Sequence, residues 1–127
     1  MLAIASLPLI AAASDDMPPL PRDRQVMLDR HIGHLTAAGG ETCIQRRRIA
    51  ETVIISDQRI LYRASRGLVF DAALNPGCED LARSPYQPRV RASGSQLCSG
   101  DTIEVVSPGQ SASCTIAGFT RWERAAD

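Results

Sequence analysis

Lysine is missing altogether: the 14 basic side chains among 127 residues are all arginine. Arginine pairs with carboxylates or phosphates through a planar fork, but a complete absence of lysine reflects a GC-rich genome rather than a ligand. Excess charge is missing too. Fourteen acidic residues balance the basic ones, so no global field draws the chain to nucleic acid or to an anionic membrane. Aromatics are few: Tyr62, Phe70, Tyr86, Phe119 and Trp122, with no clustered platform. That scarcity argues against base stacking on single-stranded nucleic acid and against carbohydrate binding. No apolar run approaches the roughly 20 residues of a membrane-spanning helix, and no C-x-x-C pair occurs.

What is present starts with an export signal. MLAIASLPLIAAAS is a small-residue apolar run ending in three alanines. It reads as a leader over residues 1–13, cleaved between Ala13 and Ser14, though without the usual basic residue ahead of the apolar stretch. A periplasmic or secreted location follows. Residues 14–22, rich in proline and acid, read as a flexible tether. Residues 23–127 then form a single domain, large enough for one core.

Export changes the meaning of Cys43, Cys78, Cys98 and Cys114. An even set in an oxidising compartment reads as two disulfides, with three connectivities open. Each would stabilise by roughly 2–4 kcal/mol.

From Asp23, a capping residue, Leu28, Ile32 and Leu35 fall on one helical face, and Gly39-Gly40 ends the helix. From Cys43 the pattern is β. TVIISDQRILYRAS gives two strands joined at 56–59, Gly67 turns the chain, and LVF continues as a third strand. Asn75-Pro76-Gly77 breaks the pattern ahead of Cys78, and a loop containing Pro85 and Pro88 leads into the short strand QPRVRAS. TIEVV alternates, with Ile103 and Val105 facing inward. After a turn at Pro108-Gly109, SCTIAGFTRW supplies the last strand. The fold class is therefore mainly β: a small antiparallel sandwich or barrel with one N-terminal helix and two disulfide staples.

The ordered pieces Cys43-Ile44, ISDQRILYR, Cys78-x-x-Leu81, Leu97-Cys98-Ser99-Gly100-Asp101 and Cys114-Thr115-Ile116-x-Gly118-Phe119 span roughly residues 41 to 120. This framework resembles a family of small secreted proteobacterial proteins that carry a domain of unknown function. Where that family tends to read Asp-Asp-Arg-Thr, this chain has Asp57-Gln58-Arg59-Ile60. The resemblance implies an exported, disulfide-bearing β-rich domain and supplies no activity, cofactor or catalytic residue.

Cys98 leads into a turn and strand, not a helix, so no helix dipole lowers its pKa; a disulfide is the stronger reading. Asp101 serves that turn through side-chain hydrogen bonds. His31 and His34, with Asp29 nearby, share a helical face but provide too few ligands for a structural metal site. Arg46, Arg47 and Arg48 form the one basic run, and as an edge strand they would point alternately to two faces. Together with Arg59 they are the candidate anion-binding residues. Phe70 and Phe119 read as core, and Trp122 as a sheet cap or an interface residue.

The resulting expectation is a non-enzymatic binding or structural accessory of the periplasm or cell envelope, with no cofactor. Its partner would be an envelope protein or a small anionic ligand, not nucleic acid. Two alternatives are a redox or thiol-dependent enzyme using a free Cys98, with His31 folded over it, and an anion-binding module built on the arginines.

Overall fold

The computed structural model describes residues 19–79, 81–83, 88–91, 94–107 and 109–125. The leader, the first half of the tether, Pro85, Tyr86 and Pro108 lie outside them. The chain runs α1 (Arg22–Ile32), β1 (Thr36–Glu41), β2 (Cys43–Gln45), a 3-10 turn (Arg46–Arg48), β3 (Glu51–Ser56), β4 (Arg59–Ser65), β5 (Leu68–Leu74), β6 (Arg89–Arg91), β7 (Gln96–Cys98), β8 (Thr102–Ser107) and β9 (Gln110–Glu123). Among the described residues the architecture is mainly β and antiparallel, with one α-helix and two disulfides, as the sequence implies. No helix among the described residues is long and apolar enough to cross a membrane.

The sheet order is β3-β4-β5-β9-β8-β6, with β1 also paired to β9. Strand β9 organises it. Its first half pairs with β8, and its second half lies between β5 and β1. The register slips between Ala73 and Leu74, where Gly118 and Ile116 are the successive partners and Ala117 is the extra residue. An extra residue of this kind bends a strand and sharpens its twist, so one strand can serve both halves of a curled sheet. A separate ribbon, β2–β7, sets Ile44 opposite Leu97 and Cys43 opposite Cys98.

Alternation along the strands builds two apolar clusters. Ile60, Tyr62, Phe70, Ala72 and Phe119 line one face of the sheet and pack with Ile103, Val105, Ile116 and the ribbon's Ile44 and Leu97. A fully buried aliphatic side chain such as Ile60, with 0% exposure, contributes about 1.5–3 kcal/mol of transfer free energy. The opposite face carries Ile55, Leu61 and Val69, covered by Leu28 and Ile32 of α1 and by Leu35, with Trp122 packed at the margin.

Three local expectations are corrected. The helix begins at Arg22, so Asp23 lies in its first turn and makes no capping bond; the carbonyl of Pro21 accepts from the amides of Arg24 and Gln25. The helix ends at Ile32, well before Gly39-Gly40. Leu35 still reaches the helix cluster, but Thr36–Glu41 then becomes a strand paired with β9. Finally, Arg46–Arg48 form a 3-10 turn with all three side chains exposed, not an edge strand.

Candidate functional site

The cysteines pair as Cys43–Cys98 and Cys78–Cys114, and none is free. Cys98 is thus half of a staple. Its sulfur is bonded to Cys43, which removes the nucleophile that the thiol alternative requires. Asp101 holds the turn as expected: its carboxylate accepts from the Cys98 amide at 2.7 Å, while its own amide donates to the Cys98 carbonyl at 3.0 Å. At the second staple, Gly77 has φ +136°, and a Cβ there would stand 2.4 Å from the Ser113 carbonyl. Only glycine lets the chain pass this close to β9 just ahead of Cys78.

The four arginines proposed from sequence do not form one patch. Arg59 is bound bidentately to Asp71, with Nε–Oδ1 2.9 Å and Nη2–Oδ2 2.5 Å. Asp71 is the one buried charged residue among those described. Such a fork uses the guanidinium edge that an anion would need. Arg59 also sits beside the β3–β4 turn, whereas Arg46–Arg48 precede the other end of that hairpin, where the Ala50 amide donates to the Arg63 carbonyl.

His31 and His34 do not share a helical face, although both line one cavity. His31 is in the last turn of α1; His34 lies beyond the helix, with its Nε2 3.1 Å from the Arg66 carbonyl oxygen. Among the described residues no group of three or more His, Cys, Asp or Glu is placed to hold a metal.

Two cavities stand at opposite ends of the β3–β4 hairpin. The larger, about 510 Å³, opens between Pro19–Pro21, the β3–β4 turn and the Pro76–Glu79 loop. Its walls are built by long-range polar ties. Arg24 donates to the carbonyls of Ile54 (3.2 Å) and Ala82 (3.0 Å), and the Asp57 carboxylate accepts from the Ala82 amide at 2.9 Å. Asp57, read from sequence as part of a turn, thus fastens that turn to the Cys78 loop. Ser56 Oγ accepts from the Gln58 amide. Ile55, Leu20 and the prolines supply apolar wall, and Gln58 and Glu79 add polar groups.

The smaller cavity, about 370 Å³, is bounded by Arg30, His31, His34, Arg63 and Arg66. Glu51 of β3 pairs with one of these lining residues, its carboxylate accepting from Arg63 Nε at 2.8 Å. That hydrogen bond, aided by the nearby Arg63 and His31 charges and opposed by slight desolvation, holds the Glu51 carboxyl below its usual value. Sequence reading singled out the two histidines but missed the arginines around them, because Arg30, Arg63 and Arg66 come from a helix end, a strand and a turn that no local run links.

Two buried polar atoms, Tyr62 Oη and Trp122 Nε1, have no hydrogen-bond partner among the described residues. Burial raises the Tyr62 phenol far above its ordinary value, so it stays neutral as part of the core. Trp122 packs half-buried against the helix cluster.

Comparison with known proteins finds no matching family model, no matching curated protein and no matching solved structure.

Proposed function

We propose that this chain is an exported, non-catalytic binding domain of the periplasm or cell envelope, and that its ligand seats in the 510 Å³ cavity beside the Cys78 loop. The observation that carries this reading is the cavity's construction. Its volume falls in the range of small-molecule sites, and apolar walls with a few convergent polar groups are their usual make-up. Its rim is fixed by Arg24 and Asp57 through main-chain hydrogen bonds and by the Cys78–Cys114 bond. With Arg24 and Asp57 engaged in this way, the cavity is equipped to hold a ligand rather than to transform one. The two disulfides fit an oxidising compartment. Membership of the small secreted four-cysteine family belongs to the same proposal and rests on the ordered motifs from Cys43 to Phe119.

The test begins with the full chain expressed in a Gram-negative host. Periplasmic recovery, a mass lacking residues 1–13 and no alkylation before reduction are expected. A fragment screen by amide NMR should then give hits that move Ser56, Gln58 and Gly77 and that disappear in Ala82→Trp, which fills the cavity. Retention of the whole chain in the cytoplasm would refute export. Turnover of a hydrolase substrate that one polar substitution abolishes would refute the non-catalytic reading.

A further inference from the structure

The smaller cavity differs from the first in its charge. Arg30 and His31 reach it from the last turn of α1, His34 from the linker, Arg63 from β4 and Arg66 from the β4–β5 turn. A fourth guanidinium lies across that turn, since a Cβ at Gly67 would meet Arg124 Nε at 3.0 Å. The acids nearby are few and mostly occupied. Glu51 pairs with Arg63, Glu123 pairs with Arg121, and Asp29 accepts from Gln25 on the outer side of the helix. Among the described residues, no hydrogen bond or ion pair engages the side chains of Arg30, Arg66 or Arg124. The negative end of α1 opposes an anion here, but with only about half a charge, against several guanidiniums.

We propose that this cavity binds a phosphate-bearing small molecule through its phosphate group. Guanidinium forks match phosphate geometry and donate two hydrogen bonds at a time. Arg63 contributes from a fixed position because Glu51 already holds its Nε, leaving its outer nitrogens to the ligand. A volume of 370 Å³ admits more than a bare phosphate by the usual scale of ligand sites. This site stands apart from the cavity assigned above, so either can fail alone.

Inorganic phosphate is the first probe, titrated into the full-length oxidised protein at low ionic strength. Saturable shifts of the Arg30, Arg63 and Arg66 side-chain signals are expected. Arg66→Ala should weaken binding about tenfold, the scale of one lost charge-assisted hydrogen bond. That variant keeps the backbone carbonyl that His34 contacts, so the turn survives. Arg89→Ala, on the exposed far edge strand, should leave the affinity unchanged. Phosphatidylglycerol vesicles and a soluble phosphomonoester then distinguish the source. Vesicle binding lost in Arg66→Ala identifies a lipid headgroup, and binding of the phosphomonoester alone identifies a free metabolite. Shifts that never saturate, or an affinity indifferent to Arg66→Ala and to Arg30→Ala, would overturn the proposal.

Discussion

Strand β4 carries an arginine–carboxylate pair near each end, both on the sheet face beneath α1, and the two ends have opposite characters. At the β3–β4 turn, Arg59 and Asp71 meet through two hydrogen bonds with side chains 19% and 9% exposed. At the other end Arg63 and Glu51 meet through one, with exposures of 31% and 47%. Buried charge is tolerated only when matched, and the buried end is matched one to one. At the wetter end water pays for imbalance, and there the cations outnumber the acids. One strand therefore carries a structural element at one end, tied diagonally to β5, and a surplus of positive charge at the other, tied directly across to β3. The two disulfides repeat the contrast: Cys78–Cys114 is buried in the core, whereas Cys43–Cys98 straps the ribbon with both cysteines half-exposed.

The disulfides give the largest expected effect. Chain entropy alone slightly favours the exposed one: separations of 55 and 36 residues correspond to about 4.2 and about 3.8 kcal/mol. Burial reverses that order. Cys78→Ala with Cys114→Ala also empties space beside Ile103 and Leu81, adding about 2 kcal/mol for the cavity. Urea denaturation should show the buried double variant to be less stable than Cys43→Ala with Cys98→Ala by about 1.5 kcal/mol, the cavity cost less the small chain-entropy advantage of the longer loop. Equal losses would mean that chain entropy, not packing, sets the worth of both bonds.

Next in size are the ion pairs. Asp71→Ala leaves the Arg59 guanidinium largely desolvated without its partner, which costs about 3–5 kcal/mol. Glu51→Ala should cost less than about 1 kcal/mol, as exposed pairs do. Replacing both buried partners, Arg59→Met with Asp71→Leu, should restore most of the loss. Similar losses at Asp71 and Glu51 in chemical denaturation would remove the distinction between the two ends.

How much of this was legible in the sequence follows from the range of each determinant. Strands β3, β4, β5 and β8 could be read because branched and alternating residues state their own burial: Ile103 and Val105 are buried as the pattern of TIEVV requires. Strand β1 could not. TAAGGE has little intrinsic strand preference, and it forms because β9 offers a partner, with a bulge at Ala38–Gly39 and an Arg121–Glu41 ion pair to hold it. Leu35 looked helical because it is buried beside Leu28 and Ile32, yet it reaches that cluster from beyond the helix. The basic run at 46–48 was conspicuous but local. The cavity at Arg30, Arg63 and Arg66 depends on the β4–β5 turn folding back beneath the end of α1, a juxtaposition that no spacing of residues encodes.

The smallest effect is the one that examines the exposed end most directly. Arg63 holds the Glu51 carboxyl below its ordinary value of 4.5 chiefly by donating a hydrogen bond to its charged form, with the His31 charge a lesser contributor. A carboxyl whose pKa is lower folded than unfolded stabilises the fold above the unfolded value and loses that contribution as pH falls through the folded one. Below about pH 5.5 the stability difference between wild type and Glu51→Gln should therefore shrink as the pH falls through about 4.5 and lower. Urea midpoints measured across that range supply the check. Phosphate should not enlarge the difference if the ligand uses the outer nitrogens of Arg63, because the Nε–Glu51 bond is then left in place. A difference that grows on acidification below about pH 5.5 would mean that Glu51 is held in its protonated form instead, and the exposed end would then resemble a buried site rather than contrast with one.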